Sequence, residues 1–369
     1  MIAVMRNFIF AAFLLAFMSY AGLLSAQPWA LLAEGNTPWR SVMQLRAAAA
    51  AAPRDPMLRQ LLAQAESIAG NEQAACALRP SRPPPSGEWA DARGELAAAL
   101  QARQIVMFNE SHDRSRHRAW VLAMLPTLHA AGFRALAAET FSAGIASLPV
   151  DGHVRSSDGI YLRDPVFAAL VQEAVRLGWD LVPYEVPADS EAALTREGRE
   201  GAQAQALADW LQRNSGRALV VMAGGEHINE DPAAGWMAAR LTQLTGMDPL
   251  TIAQGATACA GEQAQKWPVP PADGISSVVD RSRVPDGRFD LVVHHLPVPD
   301  LHGRPGWLSA VSGRRPARVC LPPSRQPRLL RAFAVDDPGN RVVASDQAEV
   351  APGADEMMLM LPHRRWWLA

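Results

Sequence analysis

Lysine is nearly missing from this chain: of 35 basic residues in 369, only Lys266 is a lysine. Together with the abundance of alanine, this reflects coding bias in a GC-rich genome and carries no chemistry. Excess charge is missing too. A formal net charge of −2 leaves no basic footprint, which argues against a nucleic-acid partner. Cysteine is scarce: Cys76, Cys259 and Cys320 form no C-x-x-C pair, which excludes a zinc knuckle or a thioredoxin-type motif. The three leave open one disulfide plus one thiol, in any of three pairings, or three buried thiols. G-x-S-x-G, G-x-G-x-x-G and the P-loop pattern are all absent, so neither a serine elbow nor a phosphate-cradling loop is favoured. What remains is a chain with 49% hydrophobic and 20% charged residues, enough to bury a large core.

The first 26 residues have the layout of a secretory signal. One arginine precedes an apolar run from Phe8 to about Met18, and small residues follow, with cleavage candidates at Ser19-Tyr20-Ala21 and Leu24-Ser25-Ala26. The other reading is a retained single-span anchor, since the run to Ala26 nearly reaches spanning length. Both place the body outside the cytoplasm, periplasmic or secreted, with membrane contact only if the segment is retained. Residues 27–78 read as a helical hairpin, and 79–88 ("RPSRPPPSGE") as a Pro-rich linker.

From residue 89 to 300, helices ending in glycine alternate with short apolar strands. The pattern predicts an α/β domain with a mostly parallel sheet flanked by helices. "QIVMFN", "FRALAAETF", "WDLVPYEV", "RALVVMAGGEH", "DPLTIAQGA" and "RFDLVVHHL" are the strands. A helix from Arg118 to Ala131, kinked at Pro126, carries an apolar stripe of Trp120, Val121, Met124, Leu125 and Leu128. Residues 190–216 read as one long helix and 261–287 as an irregular excursion. Residues 301–369 read as a small antiparallel β extension in which Trp366 and Trp367 anchor the core.

Ligands of an open parallel sheet sit beyond the carboxyl ends of its strands. Those ends carry Asn109, Glu110 and His112; then Glu139 and Thr140; then Tyr184 and Glu185; then Gly224, Gly225, Glu226 and His227; finally His294 and His295. One acid at a strand end is unremarkable. A series of ionisable ends points to a functional cluster, suited to acid/base work on water or to metal binding.

Four motifs recur in order: Glu110-x-His112, Glu139, Arg199-Glu200-x-x-Gln203-Ala204 and Gly224-Gly225-Glu226-His227. They resemble the erythromycin esterase/ChaN-like superfamily, which includes the TIKI-type proteases. The chain resembles more closely, within that likeness, a bacterial group with an "NEAHH…HR…AAETF" core and a "TGIDPLT" segment. It departs from the superfamily pattern at Asn109, Gln203 and the added acid Glu226. The resemblance implies His112 as general base or metal ligand with Glu110 as its partner. It implies Glu139 orienting water, His227 as a second imidazole, and Arg118 as the arginine near the first helix. Arg199 would face the cleft or pair with Glu200, and Glu185, Arg199 and Glu226 would contact a bound group. Glu110, His112, Glu139 and His227 also make a candidate set for a divalent transition metal; haem is the weaker cofactor expectation.

Bland readings stand beside these. His117 is either a helix-start residue satisfying backbone groups or a ligand. Tyr184 and Glu185 either close the sheet edge or line the cleft, as do His294 and His295. The leading function is a hydrolase whose His/Glu-activated water attacks an ester, lactone or amide of a small molecule or peptide. The alternative is a non-catalytic haem- or ligand-binding protein of the same fold.

Overall fold

The computed structural model describes residues 32, 38–79, 87–148, 153–259, 277–281, 287–311, 313–334, 342–362 and 366–368. The apolar N-terminal run and most of the Pro-rich linker lie outside the described residues. So do most of the 261–287 stretch and His363. Among the described residues, no helix is long and apolar enough to cross a membrane.

Within residues 38–78 the structure describes three helices where the hairpin reading expected two: α1 Pro38–Ala51, α2 Pro56–Ile68 and α3 Glu72–Leu78. Asp55 caps α2, its Oδ1 accepting from Met57 N at 2.8 Å and Leu58 N at 3.1 Å, with Pro56 at the first helical position. Gly70 and Asn71 break the chain before α3. Leu45 and Leu61 from this segment are fully buried in the same core as Trp120, Leu125 and Met360. Arg46 clamps it further, pairing with Glu66 at 2.6 Å and with Glu349 near the far end of the chain at 2.7 Å.

The body is β1 Trp89–Asp91, α4 Ala92–Ala99, β2 Ile105–Glu110, α5 Ser115–Ala130, β3 Phe133–Ala138, α6 Pro165–Arg176, β4 Asp180–Pro183, α7 Arg196–Arg213, β5 Ala218–Gly224, α8 Met237–Thr245, β6 Leu250–Thr257, β7 Ser277–Asp280 and β8 Leu291–His295. These strands make one sheet in the order β1-β7-β8-β6-β2-β5-β3-β4. The six from β8 to β4 run parallel, while β7 is antiparallel to both its neighbours. The central strands are unbroken apolar runs because helices cover both faces; Ile105, Val106, Met107 and Phe108 are all fully buried. The fold is therefore α/β with a mostly parallel sheet flanked by helices, as the alternation of elements implies.

Three boundaries differ from the sequence reading. β7 lies inside the stretch read as irregular. The helix after β2 begins at Ser115, so His117 and Arg118 occupy its first turn. The long helix expected over 190–216 is a 3-10 turn, Glu191–Leu194, followed by α7, with Thr195 capping the latter through Gly198 N at 3.0 Å.

After β8 come small antiparallel units. β9 Asp300–Leu301 pairs with β10 Arg304–Pro305, and β11 Arg315–Cys320 pairs with β14 Glu356–Leu361. β12 Arg328–Ala334 lies between β13 Asp346–Val350 and β15 Trp366–Leu368. Leu330, Ala348, Val350 and Leu359 form their shared core, with Trp366 against it. Cys76 on α3 is bonded to Cys259 just beyond β6, with Cα atoms 5.9 Å apart, and Cys320 is an exposed thiol.

Candidate active site

Register brings the site together. β5 lies between β2 and β3, with Gly224 opposite Glu110 on one side and Met222 opposite Ala138 on the other. Glu139 follows directly, its N–H donating to Met222 O at 3.0 Å. Glu110, Gly224 and Glu139 thus stand in one row at the carboxyl edge of three adjacent strands. Above them opens a cleft of about 1770 Å³ whose walls include His112, His227, Arg199, Glu185, Tyr161 and Trp236.

Glu110 is the best-clamped carboxylate. Its Oε1 lies 2.8 Å from His112 Nδ1, and its Oε2 accepts from Arg118 Nε. Arg118 is fully buried and also donates to Asp164 Oδ2 at 2.8 Å and to the His112 carbonyl at 3.3 Å. Burial pushes the Glu110 carboxyl up, but the Arg118 guanidinium and His112 outweigh it and hold it at about 2. Being ionised, Glu110 can only accept, so His112 Nδ1 carries the hydrogen and Nε2 presents a lone pair. Among the described residues Nε2 has no hydrogen-bond partner. A methyl built on Gly224 would stand 3.0 Å from both His112 Nε2 and Glu139 Oε2. The bare glycine is what lets those two groups flank one point.

Glu139 Oε2 accepts from Gly224 N at 2.6 Å and Oε1 from Arg199 Nη2 at 2.7 Å. Burial raises its carboxyl, and His227, His112 and Arg199 together more than reverse that. His227 Nε2 is 3.7 Å from Glu139 Oε1. On its other side Nδ1 is 2.8 Å from Glu200 Oε1, a close ion pair off the line of a good hydrogen bond. Burial pulls the His227 imidazolium down, yet Glu200 and Glu139 prevail and its pKa stands above the ordinary value. Glu200 is itself fixed by Met237 N at 2.8 Å.

Glu110, His112, Glu139, His227 and Arg118 are therefore brought to one place, Arg118 beneath it as a buried clamp. Arg199 faces the cleft and binds Glu139 and Glu185 (Nε–Oε1 3.0 Å); it does not pair with Glu200, which serves His227 instead. Gln203 supports Glu185 from below at 3.0 Å. Glu226 is an exposed rim residue bonded to Asn229 at 3.0 Å. Of the four residues named as metal ligands, the two carboxylates already have other partners. Both oxygens of Glu110 and of Glu139 are engaged by cations or N–H donors. Among the described residues, no three His, Cys, Asp or Glu side chains form a metal-binding group.

The remaining strand-end residues are held by hydrogen bonds to their neighbours, and of these His117 and Asn109 still border the cleft. His117 is buried, accepts from Ser111 N at 3.0 Å and bonds Thr257 Oγ1 at 2.8 Å; burial, then Arg114, drive its pKa to about 3, so it stays neutral. His295 is buried between Ser277 at 2.8 Å and Gln254 at 3.0 Å, and His294 Nδ1 accepts from Ala256 N at 3.0 Å. Neither lines the cleft. Tyr184 is buried and donates to Met222 O at 2.9 Å. Asn109 spends its side-chain oxygen on Gln254 N of β6 at 2.5 Å.

The residue that sequence reasoning missed is Tyr161. It sits on a 3-10 turn before α6, and its ring stacks on His112 with centroids 4.0 Å apart and planes 17° apart. Nothing in its local sequence marks it. Asp164 caps α6 through Val166 N at 2.9 Å and is the second anchor of Arg118, a role its local sequence does not mark.

No family model and no curated protein matches the chain. Among solved structures, it is similar to a chain described as a crystal structure of bacterial protein toxins, at 18% identity and TM-score 0.34, covering 44% of this chain and 36% of that one. It is also similar to RRSP, a MARTX toxin effector domain from Vibrio vulnificus CMCP6, at 16% identity and TM-score 0.35, covering 57% and 45%. The type III effector HopBA1 gives 14% identity and TM-score 0.34, with 60% of this chain and 97% of that one covered. The chain thus spans less than half the length of the first two, and likenesses at this level carry no functional argument.

Proposed function

We propose that the cleft hydrolyses an ester, lactone or amide of a small molecule or peptide, using water activated at His112. The observation that carries this is the Glu110–His112 pair: Nδ1 is held at 2.8 Å by an ionised carboxylate while Nε2, beside Glu139, has no hydrogen-bond partner among the described residues. In this reading a water between Nε2 and Glu139 Oε2 loses a proton to Nε2 as its oxygen bonds the carbonyl carbon. The carbonyl π pair moves to oxygen, where His227 and Arg199 offer positive charge. On collapse the bond to the leaving group breaks, and the proton is returned to that group. The resemblance to the erythromycin esterase/ChaN-like superfamily supports the reading, since its motif residues supply this cluster. The Cys76–Cys259 bond agrees with action outside the cytoplasm, periplasmic or secreted.

The test is a panel of ester, lactone and peptide substrates, run with and without chelator. Turnover that survives chelator and vanishes in His112→Ala supports the reading. Turnover that chelator abolishes and added metal restores overturns its metal-free form. A protein that turns over nothing but acquires a Soret band with haem belongs to the ligand-binding alternative.

A further inference from the structure

His112 is held in its own plane by one directional bond, Nδ1 to Glu110. A single bond fixes the direction of the ring but not its tilt about that axis. A base that must aim Nε2 at one point needs a second restraint. The only aromatic ring stacked on His112 among the described residues is Tyr161, at 4.0 Å and 17°.

Tyr161 is itself held firmly. Its N–H donates to Thr140 Oγ1 at 2.9 Å, and Ser142 N donates to Asp158 O at 2.8 Å in the same turn. A methyl on Gly159 would stand 2.2 Å from the Thr140 carbonyl, so only glycine lets this turn lie directly on the end of β3. The Arg118 guanidinium carbon lies 5.7 Å from the Tyr161 centroid, so the residue that clamps Glu110 also packs against the platform. Arg118 is neutralised by Glu110 and Asp164. The electron-rich face of the phenol ring therefore remains an attractive surface for a second cation.

We propose that Tyr161 is a positioning residue for His112, its ring serving as the platform that fixes the tilt of the imidazole and favours the imidazolium formed when Nε2 takes a proton from water. The catalytic part rests on the hydrolase reading; the platform itself does not. The ring, not the hydroxyl, is the acting part.

The experiment compares Tyr161→Leu and Tyr161→Phe with the parent by three measurements: thermal midpoint, kcat and KM on the substrate found by the panel, and the ring-proton NMR signals of His112, assigned by their loss in His112→Asn. In Tyr161→Leu, kcat is expected to fall about 10- to 100-fold, the scale of a base misplaced by an ångström, with KM changed less than about threefold. Tyr161→Phe is expected to bring kcat back to within about threefold of the parent. The His112 signals, displaced upfield by the stacked ring, should move downfield in Leu and hold their place in Phe. A Phe variant as slow as Leu, or a Leu variant as fast as the parent, overturns the catalytic part. His112 signals that do not move in a folded Leu variant overturn the platform. If the parent turns over no substrate, the hydrolase reading fails, and the NMR comparison still decides whether the ring holds His112.

Discussion

His112 and Glu110 are bonded to each other, yet mutagenesis should separate them. The His112 side chain retains 18% exposure and faces the cleft, so truncation opens no core cavity. His112→Ala leaves Glu110 still bonded to Arg118. We expect turnover to vanish while the denaturant midpoint shifts by no more than about 1–2 kcal/mol, the cost of one unmade hydrogen bond. Glu110→Gln is different. It strips the counter-charge from a guanidinium that has no exposure at all, leaving Asp164 as the remaining carboxylate. We expect about 3–5 kcal/mol of destabilisation along with lost turnover, read from paired denaturant and rate curves. Equal destabilisation by the two variants would make His112 a structural histidine. At this scale the sequence was informative only where chemistry and strand ends coincide. Glu110, His112, Glu139 and His227 could be picked out because each ends an apolar run. Tyr161 could not, because it lies in an aperiodic turn, and Glu200 was marked only as a motif residue beside Arg199; tertiary packing alone brings each of them to an imidazole. The same strand-end rule over-reached at His294 and His295, whose strand is buried to its tip.

The elements themselves follow from period and punctuation. Unbroken apolar strands and glycine-terminated helices were legible because a sheet covered on both faces needs them. β7 was not, because four residues in a Pro/Gly/Ser-rich stretch show no period, and its identity as a strand comes from pairing with β8 and β1. α5 connects the site to the core. Its first turn supplies Arg118, and Leu125 is fully buried two turns later among Trp120, Phe133 and the N-terminal helices. Leu125→Ala should cost about 2–5 kcal/mol, with kcat preserved in whatever fraction stays folded. α3 is tied to the sheet by Cys76–Cys259, which closes a loop of 183 residues. Arg114, the residue directly before α5, donates to Cys76 Sγ at 3.2 Å and borders the cleft, so the bond also packs against the cleft wall. Replacing both cysteines by alanine should lower stability by about 2–5 kcal/mol, seen as a shift of the denaturant midpoint that reductant produces in the parent and not in the variant.

For the molecule as a whole, the buried ionisable groups set a direction for stability against pH. His117 has its folded pKa driven from the ordinary 6.5 to about 3, so the native state refuses a proton that the unfolded chain accepts. Its contribution is fully present above about 6.5 and is lost as pH falls toward about 3. Glu110, depressed to about 2, acts in the same sense over a lower window: present above the ordinary 4.5, lost as pH falls through about 2. His227 has the opposite sign. Its pKa is raised by Glu200 and Glu139 against burial, so its contribution is complete below about 6.5 and fades as pH climbs past its folded value. Acid and base therefore act on the fold through different histidines, while Glu72 and Glu230, each raised to about 7 chiefly by burial, oppose His117 as pH falls. Between about pH 7 and about pH 4.5, His117→Asn should hold its denaturant midpoint better than the parent, because it removes a group that must stay neutral. Above about pH 7, His227→Gln should flatten the alkaline decline instead and leave the acid limb in place. A His117→Asn protein that loses stability with acid as steeply as the parent would show that the acid limb belongs to other groups, the buried His295 and the carboxylates among them. In that case the buried imidazole between Ser111 and Thr257 does not drive acid unfolding.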